Sequence, residues 1–166
     1  MSARAVIDSL EFARGGQQLQ DTVAILELTR LADSLYDTGG ELTFALGGGY
    51  DAERRPRLNL RVKGRLNLKC QRCLGSLYYA LDVESSLLVL TGSTGAETAE
   101  VDVLDGIPAD PQADVWALVE DEVMLALPIA PRHPEGQCSA AVPSMQDRRA
   151  SPFAVLGTLK QDQDQT

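Results

Sequence analysis

The chain has one histidine, three cysteines and aromatic residues at only 5% of its 166 positions. With a single histidine and no G-x-S-x-G sequence, no nucleophile–histidine–acid triad can be built. Gly47-Gly48-Gly49 lacks the Lys and Ser/Thr that follow the glycines of a phosphate-binding P-loop. Neither an enzyme nor a small-molecule substrate is therefore expected. An odd number of cysteines makes no disulfide framework, and sparse aromatics supply few stacking platforms for single-stranded bases. The longest strongly apolar stretches, Leu87–Leu90 and Met124–Ala130, fall far short of the ~20 residues of a membrane helix. The N-terminus (Met1, Ser2, Ala3, Arg4, then Asp8 and Glu11) has no apolar run resembling a signal peptide, so the expected location is cytoplasmic. The formal charge of −9 excludes a uniformly basic nucleic-acid binder but leaves room for a local basic face.

What is present is ordinary globular material, 44% hydrophobic and 23% charged. We expect one α+β domain over residues 1–140 and an extended tail over 141–166 carrying a short docked helix near 152–159. The strongest pattern is central. Leu58, Leu60, Val62, Gly64, Leu66, Leu68 and Cys70 alternate with Arg57, Asn59, Arg61, Lys63, Arg65, Asn67 and Lys69. Successive strand residues face opposite ways, so this period of two predicts a long strand with one leucine face and one cationic face. Gly64 is a candidate bulge or bend.

A second alternating run, Leu77, Tyr79, Leu81 and Val83, resumes at Leu87 and Val89 after a break at Ser85-Ser86. The short connection Cys70–Ser76 makes the two runs an antiparallel hairpin. Glu41–Leu46 reads as a further strand, Leu26–Tyr36 as a helix, and Gly47–Gly49 with Asp51–Pro56 as a loop. Val101, Val103 and Ile107 suggest a short edge strand. Ala113–Leu127 reads as a helix stopped by Pro128 and Pro131. The expected fold is thus an antiparallel sheet with a long central hairpin packed against one or two helices.

Charge is segregated along the chain. Residues 54 to 72 contain Arg54, Arg55, Arg57, Arg61, Lys63, Arg65, Lys69 and Arg72 and no acid, whereas residues 74 to 131 contain acids and no cation. Alternate strand residues lie ~6.6 Å apart, close to the phosphate repeat of an extended nucleic acid. Arg57, Arg61, Lys63, Arg65 and Lys69, with Arg72 beyond them, are candidate RNA-backbone contacts. A solvated sheet face neutralised by the chain's own acids is the competing reading. Glu120, Asp121 and Glu122 splay over ~200° of a helix and cannot converge as a catalytic pair. They read as a solvated face, or as a contact for a basic partner such as a ribosomal protein.

Cys70 and Cys73 form a C-x2-C turn, and His133 and Cys138 form an H-x4-C far downstream. Together they make a complete Cys3His set, the closed shell of a structural zinc site. Arg72 and Arg132 beside the thiols favour thiolate. Metal-free structural cysteines and a redox pair remain open as alternatives.

Around Cys70-Gln71-Arg72-Cys73-Leu74 the sequence resembles the bacterial YceD family. The resemblance continues through Val119-Glu120-Asp121-Glu122-Val123, Leu125-Ala126-Leu127-Pro128, Pro131, His133 and Cys138. It closes with Pro152-Phe153-Ala154-Val155-Leu156 and Leu159-Lys160. It implies a cytoplasmic ribosome-biogenesis factor linked to accumulation of large-subunit ribosomal RNA, and brings no settled functional residues. The combined expectation is a non-catalytic protein that binds large-subunit ribosomal RNA or its precursor through the cationic strand. An acidic assembly factor that holds a basic ribosomal protein is the alternative.

Overall fold

Two alternating runs dominate the architecture of the computed structural model, which describes residues 4–91 and 106–138. In chain order the elements are β1 (Val6–Ile7), α1 (Ser9–Arg14), β2 (Gln18–Ala24), 3-10 segments Ile25–Glu27 and Thr29–Ser34, and β3 (Glu41–Tyr50). They continue with β4 (Pro56–Lys69), β5 (Ser76–Leu90), β6 (Gly106–Pro108), β7 (Ala113–Asp114) and α2 (Val115–Ala126). Five strands form one sheet in the order β2-β3-β4-β5-β6, antiparallel except for β5–β6; β1 and β7 pair separately. The fold is α+β and dominated by strands.

The leucine face of the hairpin is the core. Leu58, Leu60, Val62, Leu66 and Leu68 are all buried, together with Leu42, Phe44 and Leu46 of β3 and Leu81, Leu87 and Val89 of β5. Val115, Trp116, Val119 and Val123 of α2 join the same cluster. Fully burying a side chain of this size contributes about 1.5–3 kcal/mol. Both helices start at an aspartate. The Asp8 carboxylate accepts from the Leu10 and Glu11 amides, and the Asp114 carboxylate from those of Trp116 and Ala117. These bonds satisfy amides that lack partners within the helix.

Several local expectations are corrected. Leu26–Tyr36 is two 3-10 segments rather than an α-helix. It buries Leu28, Leu31 and Leu35 against the sheet while keeping a tighter winding than α-periodicity suggests. Gly47–Gly49 belongs to β3, which continues to Tyr50. Gly64 makes no bulge, because it pairs in unbroken register with Leu42 on one side and Leu81 on the other. A Cβ there would lie 2.4 Å from Leu42 Cδ2, so glycine leaves room for a neighbouring leucine. Ser85-Ser86 does not break β5, and Ala113-Asp114 pairs with β1 before α2 begins. The sequence reading missed β1, α1 and β2 altogether. The edge-strand expectation survives at Ile107, in β6. Val101, Val103, the 152–159 helix and the 141–166 tail lie outside the described residues. No helix among the described residues is long and apolar enough to cross a membrane.

Candidate metal centre and cationic sheet face

The hairpin turn spans residues 70–75. Cys70 N–H donates to the Gly75 carbonyl (3.0 Å) and Leu74 N–H to the Cys70 carbonyl (2.8 Å). Leu74 takes a left-handed backbone, φ 58°. The chain after α2 returns to this turn, where Gln71 N–H donates to the Pro131 carbonyl (2.8 Å). The closure brings Cys70, Cys73, His133 and Cys138 together, with their four donor atoms within 4.8 Å of one another. Cys70 Sγ lies 3.8 Å from Cys138 Sγ, while His133 Nδ1 lies 3.4 Å from Cys73 Sγ and 3.7 Å from Cys138 Sγ.

A tetrahedral zinc with Zn–S of ~2.3 Å and Zn–N of ~2.0 Å requires S···S of ~3.8 Å and S···N of ~3.5 Å. The donor set fits. His133 Nε2 lies 2.9 Å from the Ser76 carbonyl, which can only accept, so Nε2 carries a proton and Nδ1 faces the sulfurs. An outer hydrogen bond of this kind orients a metal-binding imidazole.

The electrostatics divide the cluster. Burial opposes ionisation of Cys70, but the backbone amides of Cys73, His133 and Arg72 pull its pKa down to about 5. Burial likewise raises Cys138, and the Arg72 guanidinium and His133 more than offset it, leaving the thiol lowered. The Gly75 amide lowers Cys73, yet its burial and the adjacent Cys70 and Cys138 sulfurs leave it raised. The bond from Cys138 raises His133, helped by the Ser76 carbonyl.

Arg72 belongs to this cluster. Its Nε donates to Cys138 Sγ at 2.9 Å, and Nη2 reaches the His133 and Pro134 carbonyls. The sequence placed Arg72 both beside the thiols and among the phosphate contacts; in the structure its guanidinium is committed to the thiol cluster.

The outward face of β4 carries Arg57, Arg61, Lys63, Arg65 and Lys69, as the alternation predicts. Its charge is not uniform. The hairpin register sets Arg61 opposite Glu84 and Lys63 opposite Asp82. Arg61 lies 3.3 Å from Asp82 and 3.7 Å from Glu84, and Lys63 lies 3.3 Å from Asp82. The bond from Arg61 lowers the Asp82 carboxyl against the opposing effect of burial, and Lys63 adds to the lowering. Asp82 in turn raises Arg61. Arg57 is drawn inward, 3.5 Å from Asp51 and hydrogen-bonded to the Ser86 hydroxyl (3.1 Å). Among the described residues Lys69 has a single hydrogen bond, to the Asp33 carbonyl at 3.4 Å, and neither it nor Arg65 has an ion-pair partner. The face is masked toward the open end of the hairpin and unmasked toward its turn. The signal was available: residues paired across a turn centred between 72 and 73 sum to 145, which sets 61 against 84 and 63 against 82.

Each of Glu120, Asp121 and Glu122 has a partner elsewhere in the chain. Glu120 is buried and accepts from the Arg30 amide at 2.6 Å. Asp121 pairs with the Arg30 guanidinium and Glu122 accepts from the Ser85 hydroxyl. The solvated face expected of these residues is corrected at Glu120, which faces the 3-10 segment.

These features define a small strand-dominated α+β protein with a four-donor thiol–imidazole cluster at its hairpin turn. Residues 58–160 match the family described as "Large ribosomal RNA subunit accumulation protein YceD". The chain belongs to that family. A relative with the same description, from Haemophilus influenzae, is 28% identical over 152 residues, covering 81% of this chain and 83% of the relative. No solved structure matches the chain.

Proposed function

We propose that this protein is a non-catalytic cytoplasmic factor that supports accumulation of large-subunit ribosomal RNA by binding that RNA or its precursor. Phosphates would lie along the outward face of β4, with Arg65 and Lys69 as principal contacts and Arg61 and Lys63 as exchangeable ones. The observation that carries the reading is the row of cations on one face of an extended strand whose other face is buried. The ion pairs of Arg61 and Lys63 are about half exposed, and such pairs are worth only about 0–1 kcal/mol. An RNA phosphate can therefore displace them at small cost. Arg57 is too enclosed to contribute equally.

In this reading Cys70, Cys73, His133 and Cys138 bind a structural zinc that clips the hairpin turn to the segment after α2. The metal would fix the turn, and with it the end of the strand that bears Lys69. Arg72 would offset the negative charge left by three thiolates and a divalent ion. Glu120 is buried on the Arg30 amide, which weighs against the acidic triplet as a whole holding a basic ribosomal protein.

Equilibrium binding of a large-subunit ribosomal RNA fragment tests the proposal. Affinity should fall linearly with log salt concentration, with a slope set by the phosphates neutralised. The double change Arg61→Glu, Arg65→Glu should abolish binding while the fold persists. Unaltered binding by that variant removes the β4 face from the mechanism.

A further inference from the structure

Aromatic residues are scarce in this sequence, yet two exposed tyrosines sit at the unmasked end of the cationic row. Tyr78 of β5 stands directly opposite Asn67 of β4. On the other flank of Asn67 the chain before β3 takes the place of a strand. Leu35 bridges to Leu68, and Tyr36 N–H donates to the Asn67 carbonyl at 2.7 Å. Leu35 and Leu68 are buried together, so the next residue, Tyr36, falls on the outward face with Asn67 and Tyr78. Tyr36 is 54% exposed and Tyr78 63% exposed.

The two rings flank one residue of β4 at two strand spacings, ~10 Å between backbones. Along β4, Arg65 and Lys69 bracket Asn67, ~13 Å apart. Tyr78's neighbours on the same face of β5 are Ser76 and Ala80, which are too small to cover its ring. Two aspartates border the patch: the Asp37 carboxylate accepts from the Asn67 side-chain amide (2.8 Å) and the Gly39 N–H (3.1 Å), and the Asp33 carbonyl accepts from Lys69 (3.4 Å).

We infer that this cross of Tyr36, Tyr78, Arg65 and Lys69 is a site for single-stranded RNA, with unpaired bases stacked on the two tyrosines and the backbone held by the two cations. The inference rests on the RNA-binding reading above and adds what that reading leaves open, the strandedness of the ligand. A duplex keeps its base faces stacked internally and offers the rings nothing. An unpaired segment offers a π face at every base, whatever its sequence. Alternate β4 residues repeat every ~6.6 Å, close to the phosphate repeat of an extended strand, so Arg65 and Lys69 would bracket two steps, with a base between them over Tyr78.

The full-length protein would be titrated with a twelve-nucleotide single-stranded RNA of mixed sequence and with the same RNA as a duplex, for wild type, Tyr78→Ala, Tyr36→Ala and both Tyr→Phe variants. The site predicts preference for the single strand, about a tenfold loss for each alanine variant, retention in each phenylalanine variant, and an unchanged salt slope. Both side chains are exposed, so melting temperatures should match wild type. Equal affinity for single strand and duplex, or alanine variants that bind as wild type does, overturns the stacking site and leaves the phosphate-binding reading standing. A wild-type protein that binds neither RNA overturns both.

Discussion

Three successive glycines in β3 provide a sharp test of how the helix at the N-terminus is seated. Gly48 faces inward, and a Cβ built on it would lie 2.1 Å from the Phe12 carbonyl oxygen and 2.9 Å from Ala13 Cα. Ordinary contact begins near 3.4 Å, so α1 would have to retreat by about 1.3 Å. The obstructing atoms are backbone and cannot rotate away. Phe12 and Ala13 are buried in the core, so moving α1 opens the packing around both. Overpacking costs about 1–3 kcal/mol, and more where backbone must shift; Gly48→Ala should reach about 3 kcal/mol. At 2–4 °C per kcal/mol for a chain of this size, melting should drop by about 6–12 °C.

Gly47 and Gly49 have nothing within 4 Å of an added Cβ. Alanine at either should be neutral or stabilise by about 0.4–1 kcal/mol, by restricting the unfolded chain. Urea and thermal denaturation of the three variants in parallel read the difference. A Gly48→Ala protein within 0.5 kcal/mol of its two neighbours would refute the placement of α1 on β3.

Purified protein never exposed to chelator should carry about one equivalent of zinc, measured by elemental analysis. Cys70→Ser should lose the metal and melt lower, and acidification should release it as the thiolates protonate; metal-free wild type with three reactive thiols would contradict the clip. Glu120→Ala strands the Arg30 amide and should cost about 1–3 kcal/mol in urea denaturation, whereas Glu120→Gln, which keeps an acceptor, should cost less than half as much. Asp82→Asn removes the ion pair of Lys63 and leaves Arg61 with Glu84 alone, and should tighten binding to the ribosomal RNA fragment and steepen its salt dependence; weaker binding would mean that the pairs organise the face rather than mask it.

The legible parts of this molecule were those governed by short-range rules. Period-two alternation over Leu58–Leu68 specified both the strand and its buried face, because a pleat fixes side-chain direction residue by residue. The meeting of the C-x2-C turn with His133 and Cys138 was readable because thiols and an imidazole at such spacings form one ligand set; the structure does bring the four donor atoms within 4.8 Å of one another. Features that depend on tertiary partners were not legible. Leu26–Tyr36 has apolar spacing compatible with a helix, but packing against the sheet selects 3-10 winding. β2 is mixed in burial and carries no clean alternation. Glu120 looks solvated until the Arg30 amide, ninety residues away in sequence, meets it. The Tyr36–Tyr78 pair depends on a single bridge, Leu35 to Leu68, that no local pattern announces.

Ultraviolet crosslinking in living cells, with sequencing of the attached RNA and mass spectrometry of the attached peptides, tests the central claim most directly. The account predicts enrichment of large-subunit ribosomal RNA or its precursor over small-subunit RNA, with adducts on peptides containing Arg61–Lys69 or Tyr78. Recovery of no ribosomal RNA above background, or adducts confined to the α2 surface, would contradict it.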